Sequence, residues 1–171
     1  MSLSPRTVRA AASLPRLVLP SPNGSTISFH LQQATPTVVG VSLRNREAAA
    51  QWLIARRTGD AALRVAVVAA GERWADGTLW PAVEDLWGAG AVIESLRTAG
   101  WGEVSPEATV AAAAFRSIAD DVAQALRTCA SGRELIDLGY ADDVAVAVAV
   151  AAEIDSSRSV PQLRCTAFAT P

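Results

Sequence analysis

Apolar positions fall into short runs separated by polar, Gly- and Pro-bearing segments, and the runs differ in character. Residues 16–19 (Arg-Leu-Val-Leu) read as a strand running into Pro20-Ser21-Pro22-Asn23-Gly24-Ser25, where two prolines and an Asn-Gly pair force a turn. Residues 37–43 and 63–70 are continuous and rich in Val, the pattern of strands buried on both faces. Asn45 is placed to cap a helix over about 46–57, and Pro81 to open another with Glu84 and Asp85 in its first turns. Ser105-Pro106-Glu107 combines a capping hydroxyl, a first-turn proline and an acid at the positive dipole end, predicting a helix to about Arg127. A further helix entry follows at Ser131-Gly132. Residues 144–150 alternate Val and Ala, but every position is apolar, so alternation separates no faces and a helix capped by Asp142 is expected. Residues 162–168 close the pattern as a strand. Strands alternating with helices predict an α/β fold with a mainly parallel sheet covered on both faces, and ligands at the carboxyl ends of its strands.

Composition narrows this picture. The 171 residues are 50% hydrophobic and 19% charged, enough for a single domain over 1–171. Fifteen basic residues against seventeen acidic ones give a net charge of -2 and argue against a nucleic-acid partner. The chain has no lysine, so every fixed positive charge is a guanidinium able to grip phosphate or carboxylate with a planar fork. Cys129 and Cys165 lie far apart without metal-ligand spacing, as suits a reducing cytoplasm. No apolar run reaches the roughly twenty residues a bilayer requires, so no membrane partner is expected.

Three polar loops are the places for chemistry. Asn23-Gly24-Ser25 offers backbone N–H groups and side-chain donors to an anion; its plainer reading is a tight turn. Gly71-Glu72-Arg73, with Asp76, Glu84 and Asp85 following, supplies hard oxygen ligands of the kind Mg²⁺ prefers and an arginine clamp, although loop carboxylates are commonly only solvated. Ser131-Gly132-Arg133 can meet a phosphate at a helix start, or can simply cap that helix. Other motifs fail. Cys129 lacks the arginine a cysteine-phosphatase loop needs at 135, where Leu135 stands. His30 has no second histidine or cysteine at ligand spacing. Gly88-Ala89-Gly90 lies within a helical pattern, where close packing explains it better than a dinucleotide fingerprint. Trp74, Trp80, Trp87 and Trp101 cluster in sequence and suggest a pocket wall or, preferably, an oligomer interface.

Taken in order, Ser21-Pro22-Asn23-Gly24-Ser25, Leu43-Arg44-Asn45, Ala69-Ala70-Gly71-Glu72-Arg73, Glu84-Asp85-Leu86, Ser105-Pro106-Glu107 and Ser131-Gly132-Arg133-Glu134-Leu135 resemble the 2-phosphosulfolactate phosphatase family over nearly the whole chain. The resemblance implies a three-layer α/β/α fold. It also implies a Mg²⁺-dependent hydrolase that converts 2-phospho-3-sulfolactate, or a related 2-hydroxyacid phosphate, to the alcohol and phosphate, as in coenzyme M biosynthesis. With the loop chemistry, it makes Glu72 and Asp85 the candidate catalytic residues and Glu72 with Asp76 the candidate Mg²⁺ ligands. Asn23, Gly24, Ser25, Arg44, Arg73, Ser131, Gly132 and Arg133 are the candidate substrate and phosphate contacts. Water and an enzyme carboxylate both remain open as the attacking group. The family's first βα segment, with its Asp-Val-Leu-Arg-Ala type motif, has no counterpart here, and Leu3-Ser4-Pro5 matches a point inside a typical member. An alternative is therefore a catalytically impaired anion-binding or assembly module. A small anionic phosphoester substrate and a homodimer complete the expectations.

Overall fold

The Ser-Pro signal at 105–106 is realised: Ser105 Oγ accepts the Ala108 N–H, and helix α5 runs Pro106–Arg116. The computed structural model describes residues 4–12, 23–35, 37–152 and 162–163. Ahead of α5 lie α1 (Pro5–Arg9), α2 (Gly24–Ala34), α3 (Arg46–Gly59) and α4 (Val83–Thr98); after it come a 3₁₀ turn (Ala119–Asp121), α6 (Val122–Thr128), α7 (Ala130–Asp137) and α8 (Ala141–Ala152). Four two-residue strands complete the set, β1 (Val38–Val39), β2 (Glu72–Arg73), β3 (Leu79–Trp80) and β4 (Gln162–Leu163). The described chain is thus mixed α/β and mostly helical.

α4 is the hub because its middle, Trp87 to Ile93, is apolar on every side. Consecutive residues of a helix point about 100° apart, so Ala91, Val92 and Ile93 face three different neighbours. Ala91 joins Leu43 and Ala151; Val92 and Leu96 pack on Ala50 of α3; Ile93 meets Ala111 and Ala112 of α5. Small residues let the axes approach closely. Gly90 is the extreme case, since a Cβ there would lie 2.0 Å from the Ala111 carbonyl oxygen, which is the close packing expected of the Gly88-Ala89-Gly90 string. Arg46, at the start of α3, donates to the carbonyls of Leu43 and Ala151 and tethers the end of α8 to this core.

The sheet departs from expectation. Among the described residues both ladders are antiparallel, β1 with β4 and β2 with β3, and the parallel sheet is not seen. The strand expected over 37–43 shrinks to β1, and residues 63–70 run without a ladder and largely exposed. Valine content favours an extended backbone, but a strand needs a partner, and that is a non-local matter. The expected strand at 16–19, its following turn through Pro22, and residues 164–168 lie outside the described residues.

Two helices differ in their limits. The helix expected to reach Arg127 stops at Arg116, because Ser117 turns its hydroxyl onto the Ala114 carbonyl and Asp121 caps a new helix through the Gln124 N–H. Asp142 does not cap α8, which already begins at Ala141. Its neighbour Asp143 instead reaches α1, accepting from Ser4 Oγ at 2.6 Å and the Arg6 N–H at 2.9 Å. Among the described residues no helix is long and apolar enough to cross a membrane.

Candidate functional site

Asn23 is 4% exposed and donates both hydrogens of its side-chain amide, to the Ala70 carbonyl at 2.6 Å and the Gly71 carbonyl at 2.7 Å. Asp85, in the first turn of α4, takes the Gly71 N–H at 2.8 Å through Oδ2. Gly71 is therefore held at both its donor and its acceptor, by two residues far apart in sequence. It adopts φ +65°, where a side chain is strained, and an added Cβ would press on the Trp80 carbonyl at 3.0 Å. Three sequence candidates meet here, as one clamp on the point where segment 63–70 enters the β2–β3 hairpin.

That hairpin carries Glu72 and Arg73. Its turn is closed by Gly77 at φ +84° and by Asp76, whose Oδ1 accepts the Thr78 N–H at 2.9 Å and the Thr78 hydroxyl at 2.6 Å. Those two bonds hold the Asp76 carboxyl below its usual range. Arg73 donates to the Gly77 carbonyl at 2.7 Å, and Trp74 stacks on Trp80 with ring centroids 4.4 Å apart. Both Glu72 and Arg73 are exposed. The tryptophans do not act as one surface: Trp74 and Trp80 brace the hairpin, Trp87 is buried in α4, and Trp101 packs beside Leu96 with Arg57 over its ring.

A cavity of about 440 Å³ lies on the other side of the α4 N-terminus. Leu126, Leu135, Val144, Ala147 and Val148 make its walls apolar, and Glu84, Cys129, Ser131, Tyr140 and Asp143 supply polar atoms. Gly132 also lines it. A Cβ on Gly132 would sit 2.0 Å from the Leu126 carbonyl, and its N–H is directed at Cys129 Sγ, 3.4 Å away, so this glycine serves the contact between α6 and α7. Glu84 Oε2 is enclosed and has no hydrogen-bond partner among the described residues. Adjacent positions of one helix thus serve different places: Asp85 grips Gly71, and Glu84 borders the cavity shared with Ser131. The sequence named Glu84 only as a possible oxygen ligand; its first-turn position beside Asp85 was the signal for more.

Residues 1–165 of the 171-residue chain match the family described as 2-phosphosulpholactate phosphatase. The chain belongs to that family. No curated protein and no solved structure matches it. Within this member of the family the candidate contacts are spread out. Gly24 and Ser25 form the first turn of α2 beyond Asn23, Arg44 is exposed before α3, and Arg133 is exposed on α7. Among the described residues no three His, Cys, Asp or Glu side chains gather in a way that could hold a metal ion. Thr78 occupies Oδ1 of Asp76, so Oδ2 and the exposed Glu72 carboxylate are the oxygens this hairpin presents.

Burial pushes the Asp85 carboxyl above its ordinary range; the Gly71 N–H opposes this, and the Glu84 charge adds to the upward push. The native state then binds this proton more tightly than the unfolded chain, whose carboxyl titrates near ~4. Stability is expected to fall as pH rises from about 4 through the raised native value. Urea midpoints measured across that window should show a component that Asp85→Asn lacks; identical pH profiles for the two proteins would contradict it.

Proposed function

We propose that the chain is a phosphomonoester hydrolase acting on 2-phospho-3-sulfolactate or a closely related 2-hydroxyacid phosphate. The carrying observation is the family match over residues 1–165. In the overall reaction the bond from phosphorus to the substrate oxygen breaks, water's oxygen ends on phosphorus, and a proton passes to the departing alcohol. Arg73 offers a forked guanidinium to the phosphoryl oxygens and the substrate's other anionic groups. Glu72, its neighbour on β2, is the carboxylate assigned to accept or deliver the proton. Asn23 and Asp85 are positioning residues: through Gly71 they fix the entry of the hairpin that carries both. Arg44, Ser131 and Arg133 are further contacts for a substrate bearing two or three negative charges.

Magnesium dependence belongs to this reading through the family, and Glu72 with Asp76 Oδ2 would be the oxygens that hold the ion. The spread of the candidate contacts favours one alternative, an anion-binding module that has lost turnover. Phosphate release from 2-phospho-3-sulfolactate and 2-phospholactate, each with Mg²⁺ and with chelator, separates the two. Metal-stimulated release is expected, with Arg73→Ala lowering kcat/KM about 100-fold, the usual scale for losing one preorganised donor to an anion. Absence of release under every condition, with 2-phospho-3-sulfolactate still bound in calorimetry, would establish the module instead.

A further inference from the structure

The chain holds two asparagines, Asn23 followed by Gly24 and Asn45 followed by Arg46. The backbone nitrogen after an asparagine can attack its side-chain amide carbon, a thermal route to loss of the amide that a following side chain hinders and glycine leaves open. At Asn23 this vulnerable amide is also the one the fold uses. Both its hydrogens go to carbonyls, of Ala70 and Gly71, and the residue is buried. α2, which Asn23 opens, buries none of its own residues, so the amide is the buried tie between the start of this helix and residues 70–71. An element with so little buried is one that opens locally, ahead of the rest of the molecule.

We infer that Asn23-Gly24 is a deamidation site that the clamp on Gly71 keeps shut, and that modification makes an opening of the clamp permanent. The Gly24 nitrogen gives up its proton and bonds to Asn23 Cγ. The Cγ–Nδ2 bond breaks, and the nitrogen leaves as ammonia with a proton gained from water. Water then adds to either carbonyl of the imide ring, leaving an aspartate or an isoaspartate at position 23. The net change is amide and water to carboxylate and ammonium. In the closed clamp the departing nitrogen faces two carbonyl oxygens, which accept hydrogens and supply none, in a place closed to water. Opening brings the missing water. Afterwards the new carboxylate has no hydrogen for the Ala70 and Gly71 carbonyls, so the clamp does not reform and the hairpin carrying Glu72 and Arg73 loses its fixed entry. The inference rests on the clamp alone, and its failure would leave the hydrolytic reading intact.

Peptide mass analysis of the full chain, incubated at neutral pH, reads the reaction. In concentrated guanidinium chloride the Asn23 peptide should gain the mass of NH₂ replaced by OH while the Asn45 peptide stays intact. Under native conditions the gain should be at least about 100-fold slower, because only the open fraction reacts. Asp85→Ala removes the bond to the Gly71 N–H without touching Asn23, and should speed the native reaction about 10-fold or more. Equal native and unfolded rates for the wild type overturn the inference. So does no gain at Asn23 in guanidinium, a gain at Asn45 as fast as at Asn23, or an Asp85→Ala protein that is folded by circular dichroism and reacts no faster than wild type. Should Asp85→Ala unfold, a guanidinium series on the wild type decides. Reaction at Asn23 should accelerate at concentrations below the global unfolding transition, and a rate that stays flat up to that transition overturns the inference.

Discussion

Gly90→Ala is expected to destabilise the protein by about 3 kcal/mol or more, because the new methyl would lie 2.0 Å from the Ala111 carbonyl oxygen. The obstacle is backbone, not a side chain that can swing aside, so α4 and α5 must separate. Separation also loosens the contact of Ile93 with Ala111 and Ala112. For a chain of this length the unfolding midpoint should drop by roughly 6–12 °C. Gly88→Ala supplies the control two residues away. An added Cβ there meets nothing within 4 Å, so the helix gains about 0.5–1 kcal/mol from reduced unfolded-state freedom. Opposite signs for the two substitutions, read by calorimetry, are the expected outcome, and equal effects would refute the close α4–α5 contact.

The second large effect is at Asn23. Asn23→Asp keeps the shape but turns carboxylate oxygens toward the Ala70 and Gly71 carbonyls, which now receive hydrogen bonds at 2.6 and 2.7 Å. Two donors are lost and like partial charges face one another in a buried place. A cost of about 2–4 kcal/mol is expected, with Asn23→Ala near the lower end because it removes the donors without adding charge. Turnover should fall further than stability alone explains. Gly71 sets the entry of the hairpin carrying Glu72 and Arg73, and a displacement of about 1 Å in a reacting group can cost about 100-fold in rate. Urea denaturation and phosphate release on the same samples check both parts. Wild-type stability in Asn23→Asp would show that Asn23 does not clamp the loop.

Much of the helical framework was legible because its signals are local. Asn45 precedes α3, Ser105-Pro106 opens α5, and the Ala- and Val-rich 141–152 stretch is a helix despite its alternation. The same logic applies at Ser4-Pro5, where Ser4 Oγ accepts the Thr7 N–H at the start of α1. That signal was available, but five residues of helix leave too little periodicity to stand out. α2 was hidden for a related reason: Asn23-Gly24-Ser25 carries turn chemistry, and the polar positions behind it lack a strong apolar stripe. The candidate site was half legible. Asn23, Gly71 and Asp85 could each be marked as unusual, yet nothing local says that an amide and a carboxylate would both be spent on one glycine. Asp76 shows the converse: one oxygen of a carboxylate that looked like a ligand is taken by Thr78, two residues on.

By itself, then, the sequence determined where α3, α4 and α5 begin and which family the chain resembles, since caps, turn residues and motif order act over a few positions. Tertiary structure alone decided whether valine-rich segments find partners and which carboxylates stay available for chemistry. It set Glu84 beside the cavity and Asp85 on Gly71, though they are neighbours in the chain. The physical reason is range: a cap is satisfied within three or four residues, whereas a strand edge or a buried carboxylate is satisfied only by whatever the fold brings to it.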